Sequence, residues 1–256
     1  MPLREKSAAY QVQLAQMCRK IVGSRVVRKS APGFVAGANQ LLDALRVNQG
    51  SRRSFRLALE PNWKLVLYGE DICGAAGQTE LHFGGEMVFR DQCLERQVLT
   101  VVILLRANES AEAREGRPSL IEDENHVVRR FHFDFDSSVA DHGKPLAHMQ
   151  IGGQLNQQFL SIPEGNPFRY EIFDQLDYPR FPWTIVDLPI VLDMFLRQFP
   201  AGLDELVSDK AWRDLVMDSE KLWVRDFFSQ AVAMMDSASR REPLYDYCCE
   251  GSAYEQ

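Results

Sequence analysis

The chain has 256 residues, of which 45% are hydrophobic, so it can bury a substantial core. Its first 16 residues contain no apolar run of the signal-peptide type, and no stretch approaches the roughly 18 apolar residues that a membrane span needs. We therefore expect a cytoplasmic protein that does not enter a membrane. The five cysteines form no CxxC pair and no zinc-type spacing, which favours reduced thiols over a disulfide framework.

Charge is distributed unevenly along the chain. The net charge is −7, yet residues 1–56 hold eleven Lys/Arg against Glu5 and Asp43, a local +9 that leaves −16 for the other 200 residues. Such a basic segment can bind phosphate backbones or an acidic partner protein, or it can dock onto the acidic remainder of the chain, and the sequence leaves these alternatives open. The candidate contact residues are Arg19, Lys20, Arg25, Arg28, Lys29, Arg52 and Arg53.

Two helices are predicted in the N-terminal part. Apolar residues at spacings of three, four and seven predict an amphipathic helix over 3–22, which Gly23 and Ser24 end. A second helix is expected over 34–47, after the basic connector RVVRKSAPG. Two helices around a basic turn suit either DNA reading or plain packing.

After residue 53, apolar residues recur at every second position, which is typical of β-strands. Alternating apolar residues predict a β-hairpin from 55–59 and 63–67 around Pro61-Asn62, and a further strand over 79–90 with a bulge or bend at Gly84-Gly85. Residues 96–106 are apolar on both faces, as a central strand covered on both sides should be. Residues 107–125 are expected to form a mobile surface loop, and 126–136 and 146–151 to complete about six mostly antiparallel strands.

The C-terminal part is predicted to be helical. Asp187 can cap a helix over 189–199, Asp209 can cap the next one, and a longer amphipathic helix is expected over 219–237. Its expected buried positions are Leu222, Trp223, Phe227, Val232 and Met235.

The expected fold is therefore α+β, with N-terminal helices and a C-terminal helical part packed around a curved, mostly antiparallel sheet. We divide the chain into a basic helical segment (1–50), a sheet core (51–160), a helical part (161–240) and a flexible tail (241–256), which together form one continuous domain.

One segment, FHFDFDSSVADHGKPLAHMQIGG over 131–153, concentrates ionisable residues. Because side chains alternate along a strand, Phe131, Phe133 and Phe135 should face the core, with His132, Asp134 and Asp136 on the other face. If residues 146–151 pair with this strand as a hairpin, His148 falls beside His132 or Asp134. His82 can join the same face from its own strand, whereas His126 and His142 read as surface residues.

Two interpretations of this segment stay open. Imidazoles and carboxylates on one face suit a divalent ion such as zinc or manganese, with His132, Asp134, Asp136 and His148 as ligands, or a proton-transfer pair of His148 and Asp134 with Lys144 or Arg130 beside it. The polar, solvated face of an ordinary hairpin gives the same alternation, and it is the interpretation we favour from the sequence alone.

The stretch RFHFDFD followed by PLAHMQIGG resembles a strand-and-hairpin signature, here over 126–153, in uncharacterised bacterial proteins of toxin–antitoxin, mobile-element and phage-defence loci. The part from Pro145 to His148 is also similar to the histidine strand of relaxase-type endonucleases, which implies a metal-binding histidine at His148. Gln150 stands where that pattern prefers a second histidine.

We expect an accessory subunit that joins a protein complex of a bacterial defence or mobile-element system and acts on nucleic acid, because P-loop, dinucleotide, hydrolase-elbow and HExxH motifs are all absent from the sequence. The alternative is a metal-dependent phosphodiesterase, nuclease or toxin, in which His132, Asp134 and His148 are catalytic. A small-molecule sensor is a third hypothesis that no residue favours.

Overall fold

The computed structural model describes residues 2–59, 63–67, 77–107, 125–137, 147–152, 168–170, 180–182, 184–199 and 201–236. Its helices are α1 (Leu3–Gly23), α2 (Arg25–Ser30), α3 (Pro32–Val47), α4 (Leu188–Gln198), α5 (Asp204–Ser208), α6 (Lys210–Leu222) and α7 (Val224–Asp236). Its strands are β1 (Phe55–Leu59), β2 (Lys64–Val66), β3 (Gly77–Arg90), β4 (Cys93–Ala107), β5 (Asn125–Asp136), β6 (Ala147–Ile151), β7 (Phe168–Tyr170) and β8 (Arg180–Pro182). The expected α+β architecture is confirmed.

The sheet follows the order β1-β3-β4-β5-β6-β8, and every pair along this path is antiparallel. Two short strands lie off the path: β2 pairs with β3, and β7 pairs with β5 in the parallel sense. The apolar strand β4 lies between β3 and β5, as its sequence predicted. None of the helices in the described ranges is long and apolar enough to cross a membrane.

The prediction that residues 55–59 and 63–67 pair with each other as a hairpin is wrong. Instead of pairing with each other, β1 and β2 both pair with β3, where Leu59 lies opposite Gly85 and Lys64 opposite His82. The two short strands therefore run in the same direction along one edge. The β3–β4 ladder has its bulge between Val88 and Phe89, not at Gly84-Gly85. At Gly85, whose φ is 131°, the backbone is nevertheless irregular, and the partner of β3 changes there from β2 to β1.

Two helix boundaries also differ from the prediction. The basic connector contains the short helix α2, because the Ser24 side chain accepts a hydrogen bond from the Val27 N–H and so caps a new first turn. The helix expected over 219–237 is divided, since α6 ends at Leu222 and α7 begins at Val224. Within α7, Val232 is exposed rather than buried. The predicted loop 107–125 and the tail from 241 lie outside the described residues.

The helices cover one face of the sheet. The apolar stripe of α1 is fully buried, and one cluster of buried side chains runs through α1, α3, the sheet, α4 and α6. The stripe consists of Tyr10, Leu14, Met17, Cys18 and Ile21. Burial raises the pKa of the Cys18 thiol to about 12, so this cysteine is a core residue.

A buried hydrogen-bond network joins the helices to the sheet. The Tyr10 hydroxyl donates to Gln97 Oε1 on β4 at 2.8 Å and accepts from the Leu188 N–H at 3.2 Å, at the start of α4. The Gln97 amide in turn donates to the Val186 carbonyl at 2.8 Å. Because every group in this chain of bonds is buried, each one would be costly to leave unpaired.

Asp187 completes this network as the predicted cap of α4. One of its oxygens accepts from the Ile190 N–H at 3.1 Å, and the residue is 0% exposed. Burial raises the pKa of this carboxyl from 3.8 to about 7, against the opposing effects of the Ile190 N–H and the nearby Ser219 and Trp223 side chains. Burial, with a smaller contribution from Asp187, also raises the Tyr10 pKa.

The stability of the protein should therefore fall as pH rises from about 4 to about 7. The folded state binds the Asp187 proton more tightly than the unfolded state does, so this contribution is complete below pH 3.8 and is lost as pH passes through about 7. The pKa difference corresponds to about 4 kcal/mol at most. In urea titrations across this range, Asp187→Asn, which keeps the cap, should flatten the decline; an unchanged slope would contradict this assignment.

Gly37 of α3 packs directly against the side chain of Trp63. A Cβ at this position would lie 2.5 Å from Nε1 of Trp63, whose indole also packs edge-on against Phe34. Gly37→Ala should therefore lower the free energy of unfolding by about 1–3 kcal/mol, measured by chemical denaturation. The matched control is Gly23→Ala in α1, where a Cβ would meet nothing within 4 Å and the change should be neutral or stabilising.

Candidate functional site

The expected pairing of the two polar runs is confirmed. In the β5–β6 ladder Asp134 lies opposite His148, and His132 lies opposite Gln150. On the other side of β5, Thr100 of β4 is the partner of His132. These side chains share the face of the sheet that points away from the helical core, because Phe133 and Phe135 occupy the core side.

This second face is not solvated, contrary to the ordinary-hairpin interpretation. Arg130, His148 and Gln150 are 6%, 2% and 4% exposed, and the side chains of His132 and Asp134 are each 13% exposed. Buried ionisable groups are costly unless they are paired and hydrogen-bonded, so such a concentration requires a connected network.

His132 is held from two sides through one ring nitrogen. Its Nδ1 lies 3.0 Å from the Thr100 hydroxyl and 2.9 Å from Nη2 of Arg130. A guanidinium only donates hydrogen bonds, so Nδ1 must act as an acceptor and carry no proton. This contact fits the tautomer of His132 that carries its proton on Nε2.

Asp134 lies between the two imidazoles. Its Oδ1 is 2.6 Å from Nε2 of His132, and its Oδ2 is 3.5 Å from Nε2 of His148. The shorter contact lacks the alignment of a hydrogen bond, since the two residues share a strand and their side chains lie next to each other. We call Thr100, Arg130, His132, Asp134 and His148 the polar cluster; hydrogen bonds to His132 join β4 to β5, and the close approach of Asp134 to His148 joins β5 to β6.

In the part of the chain that the structure describes, no group of three His, Cys, Asp or Glu side chains is arranged to hold a metal ion. The Nε2 proton of His132 would also have to leave before a metal could bind there. Asp136, the fourth expected ligand, lies at the end of β5 opposite Arg96. The set of metal ligands expected from the sequence, His132, Asp134, Asp136 and His148, stays a prediction.

Two further ionic groups occupy the same face. His82 and Glu80 of β3 form a buried pair at 2.8 Å, which agrees with the expected position of His82. Glu86 is contacted by both Arg56 and Arg96. Sequence reasoning missed the roles of Thr100 and Glu86, although the lone threonine in the apolar run VLTVVILL was a usable signal. The predictions for His126, His142 and Lys144 concern side chains outside the described set.

Within the described residues, the basic segment divides into cations that form ion pairs with acidic side chains and cations that form none. Lys6 forms an ion pair with Asp226 at 2.9 Å, and Lys20 forms one with Asp209 at 3.3 Å. The pKa of Asp226 is lowered by Lys6; that of Asp209 is lowered first by the Trp212 N–H and then by Lys20. To this extent the basic segment docks onto the acidic C-terminal helices.

The other cations are available to a partner. Arg19, Arg25, Arg28 and Lys29 are exposed, and none contacts an acidic side chain in the described ranges. We call these four residues, at the junction of α1 and α2, the cationic corner. Arg19 and Arg25 also line a groove of about 720 Å³ between this junction and α5–α6. Arg52 and Arg53 are exposed as well, after the end of α3.

No protein-family model, curated protein or solved structure matches the chain. The candidate site therefore depends on its own geometry.

The tautomer of His132 can be measured directly. In ¹⁵N-resolved histidine spectra at pH 7.5, we expect an unprotonated Nδ1 and a protonated Nε2, because Arg130 donates to Nδ1. Arg130→Met should release this constraint and allow both tautomers. A protonated Nδ1 in the unaltered protein would contradict the network.

Proposed function

We propose that the protein is a cytoplasmic interaction subunit that binds nucleic acid through its N-terminal helices, within a protein complex of a bacterial defence or mobile-element system. The cationic corner carries this proposal. The resemblance of residues 126–153 supports the kind of system, and the charged surface supports the kind of ligand.

The spacing of the cations suits a phosphate backbone. On the helix α2, Arg25 lies three residues before Arg28 and four before Lys29, so the three side chains project from one side while Val27 is buried on the other. Arg19 at the end of α1 adds a fourth positive charge beside them. Guanidinium groups can bind phosphate oxygens in a bidentate manner, and none of these four side chains is neutralised by a described acid.

The remainder of the molecule limits where nucleic acid can lie. Across the groove from Arg19 and Arg25, the wall formed by α5 and α6 carries Asp209, Asp214 and Asp218, which repel phosphate. The ion pair of Lys20 with Asp209 further neutralises this groove. A phosphate backbone should therefore contact the outer side of α2, and Arg52 and Arg53 are the expected additional contacts.

Removal of the α2 charges tests the proposal. The triple variant Arg25→Ala, Arg28→Ala, Lys29→Ala should weaken binding of a labelled oligonucleotide in fluorescence anisotropy. The slope of log affinity against log salt concentration should also become shallower by about 2–3. Each lost phosphate contact reduces the magnitude of this slope by roughly 0.9 for duplex DNA and 0.7 for a single strand.

The matched control removes the same charge from α6. Lys210→Ala, Arg213→Ala, Lys221→Ala changes the net charge by the same amount at exposed positions, two of which are paired with Asp214 and Asp218. Affinity and salt dependence should stay close to those of the unaltered protein. If the two triple variants lose the same amount of affinity, the loss reflects net charge alone and not the cationic corner. Absence of oligonucleotide binding by the unaltered protein at low salt would reject the proposal.

A further inference from the structure

A second groove lies between α1 and α3. We call it the α1–α3 groove; it has a volume of about 310 Å³, and its walls come from α1, from the end of α3 with the turn after it, and from Gln92 between β3 and β4. This volume is near the lower end of the range of small-molecule sites, about 300–1,000 Å³. Arg19 lines both this groove and the groove beside α5 and α6, so it connects the α1–α3 groove to the cationic corner.

The two grooves differ in charge. The groove beside α5 and α6 carries four carboxylates, those of Glu205, Asp209, Asp214 and Asp218. Among the described residues that line the α1–α3 groove, none is acidic and two are arginines, Arg19 and Arg46. Arg46 forms an ion pair with Asp43 at 3.1 Å, but the two side chains are 62% and 71% exposed, and such a surface pair contributes little. An anionic ligand is therefore favoured in the α1–α3 groove and disfavoured in the other.

Further cations lie at the end of the α1–α3 groove. Ser51 lines the groove, and Arg52 and Arg53, which are both exposed, follow it directly in the chain. Arg4 is close as well, since its guanidinium donates to Oε1 of Gln92 at 2.9 Å. The groove thus lies between the cationic corner and a second set of cations. A phosphate backbone that contacts both sets must cross the groove.

The floor of the α1–α3 groove is apolar and partly uncovered. Leu42 and Leu45 are buried beneath it, Ala15 is half-buried, and Val12 is 56% exposed. A flat apolar surface placed on Val12 and Ala15 would remove this area from water, which is favourable. The face of a nucleobase is such a surface.

Amide side chains form part of the rim. They belong to Gln11, Gln49 and Gln92. An amide offers a hydrogen-bond donor beside an acceptor, which is the arrangement that binds the edge of a base. Because Arg4 holds Oε1 of Gln92, the N–H groups of this amide are directed to a ligand. One groove therefore combines cations, an apolar floor and amides, which match the phosphate, the face and the edge of one nucleotide.

We propose that the α1–α3 groove binds one unpaired nucleotide of a single-stranded nucleic acid. The base lies on Val12 and Ala15, and the flanking phosphates contact Arg19 on one side and Arg52 on the other. This inference rests on the nucleic-acid binding proposed above and adds a selection for single strands. The bases of a duplex are paired and stacked, so one of them could enter the groove only after a costly unpairing.

The experiment measures fluorescence anisotropy with the full chain, using labelled single strands of DNA and of RNA and the DNA duplex of the same sequence. We expect tighter binding of a single strand than of the duplex. Ala15→Leu, which fills the groove, should lower the single-strand affinity by at least about fivefold, the lower end of the range for base contacts. The double variant Gln11→Ala, Gln49→Ala should do the same, and both should leave the duplex affinity unchanged.

Matched controls alter the groove beside α5 and α6. Ala211 and Gln16 line that groove, so Ala211→Leu and Gln16→Ala should leave both affinities unchanged. Thermal unfolding shows which variants are folded. The double variant truncates two side chains outside the core, so it decides the proposal if Ala15→Leu does not fold.

A base analogue reports the groove directly. In a strand with 2-aminopurine in place of one base, the fluorescence of the analogue should change when the unaltered protein binds. This change should be lost in Ala15→Leu and kept in Ala211→Leu.

The outcomes distinguish the groove from the cationic corner. Equal affinity for single strand and duplex, or a single-strand affinity that no groove variant lowers, overturns the groove and leaves the cationic corner standing. Displacement of the strand by an equal concentration of a free nucleoside monophosphate overturns the strand as the ligand. If the groove variants weaken single-strand binding while the triple variant of α2 does not, the cationic corner is overturned and the groove is retained.

Discussion

The hydroxyl of Tyr10 joins α1 to the sheet and to α4. It is bonded at once to Gln97 in the central strand β4 and to the first backbone N–H of α4, while its ring packs edge-on against Trp223. Residues from the two ends of the chain therefore meet on one buried hydrogen-bond network, and the helices cannot move from the sheet without breaking it. This face of the sheet is occupied by apolar and neutral groups, and the buried ionisable residues of the described strands lie on the opposite face. They are Glu80, His82, Glu86, Arg130 and His148.

On that opposite face, the alternation of apolar and polar residues along each strand places ionisable side chains in a buried environment. Phe133 can enter the core only if Asp134, its neighbour, points the other way, and the same alternation holds along β5 from Arg129 to Asp136. Because the second face is buried as well, charges that would be harmless in water must satisfy one another. Three ionic groups meet this demand: Glu80 with His82, Glu86 with two arginines, and the polar cluster. In the first two groups, a carboxylate contacts one or two basic side chains. In the polar cluster, the contact from Arg130 also favours one tautomer of His132.

Much of the fold could be predicted because it depends on local rules. Periodicity located α1 and β4, and the side chains of Asp187 and Asp209 cap helices as expected. Alternation placed His148 beside His132 or Asp134, and the ladder has it opposite Asp134. The errors concern properties that are not local. The partner of β1 is chosen by tertiary packing rather than by the nearby β2, and the break between α6 and α7 at Trp223 has no Gly or Pro to announce it. The proton position on His132 depends on Arg130 and on Thr100 from another strand, so no pattern within β5 could reveal it.

The short strands at the edges of the sheet affect how readily copies of the protein aggregate at high concentration. An edge strand with a long row of unpaired N–H and C=O groups is a template for another chain, and this is how many β-rich proteins begin to aggregate. Here one edge is shared by β1, of five residues, and β2, of three, and the other ends in β8, of three residues with Pro182 at its end. Proline has no N–H to offer, and short strands present few groups in register. Because β1 and β2 share one edge instead of pairing with each other, that edge is interrupted. An interrupted edge hinders strand-to-strand pairing between copies of this sheet.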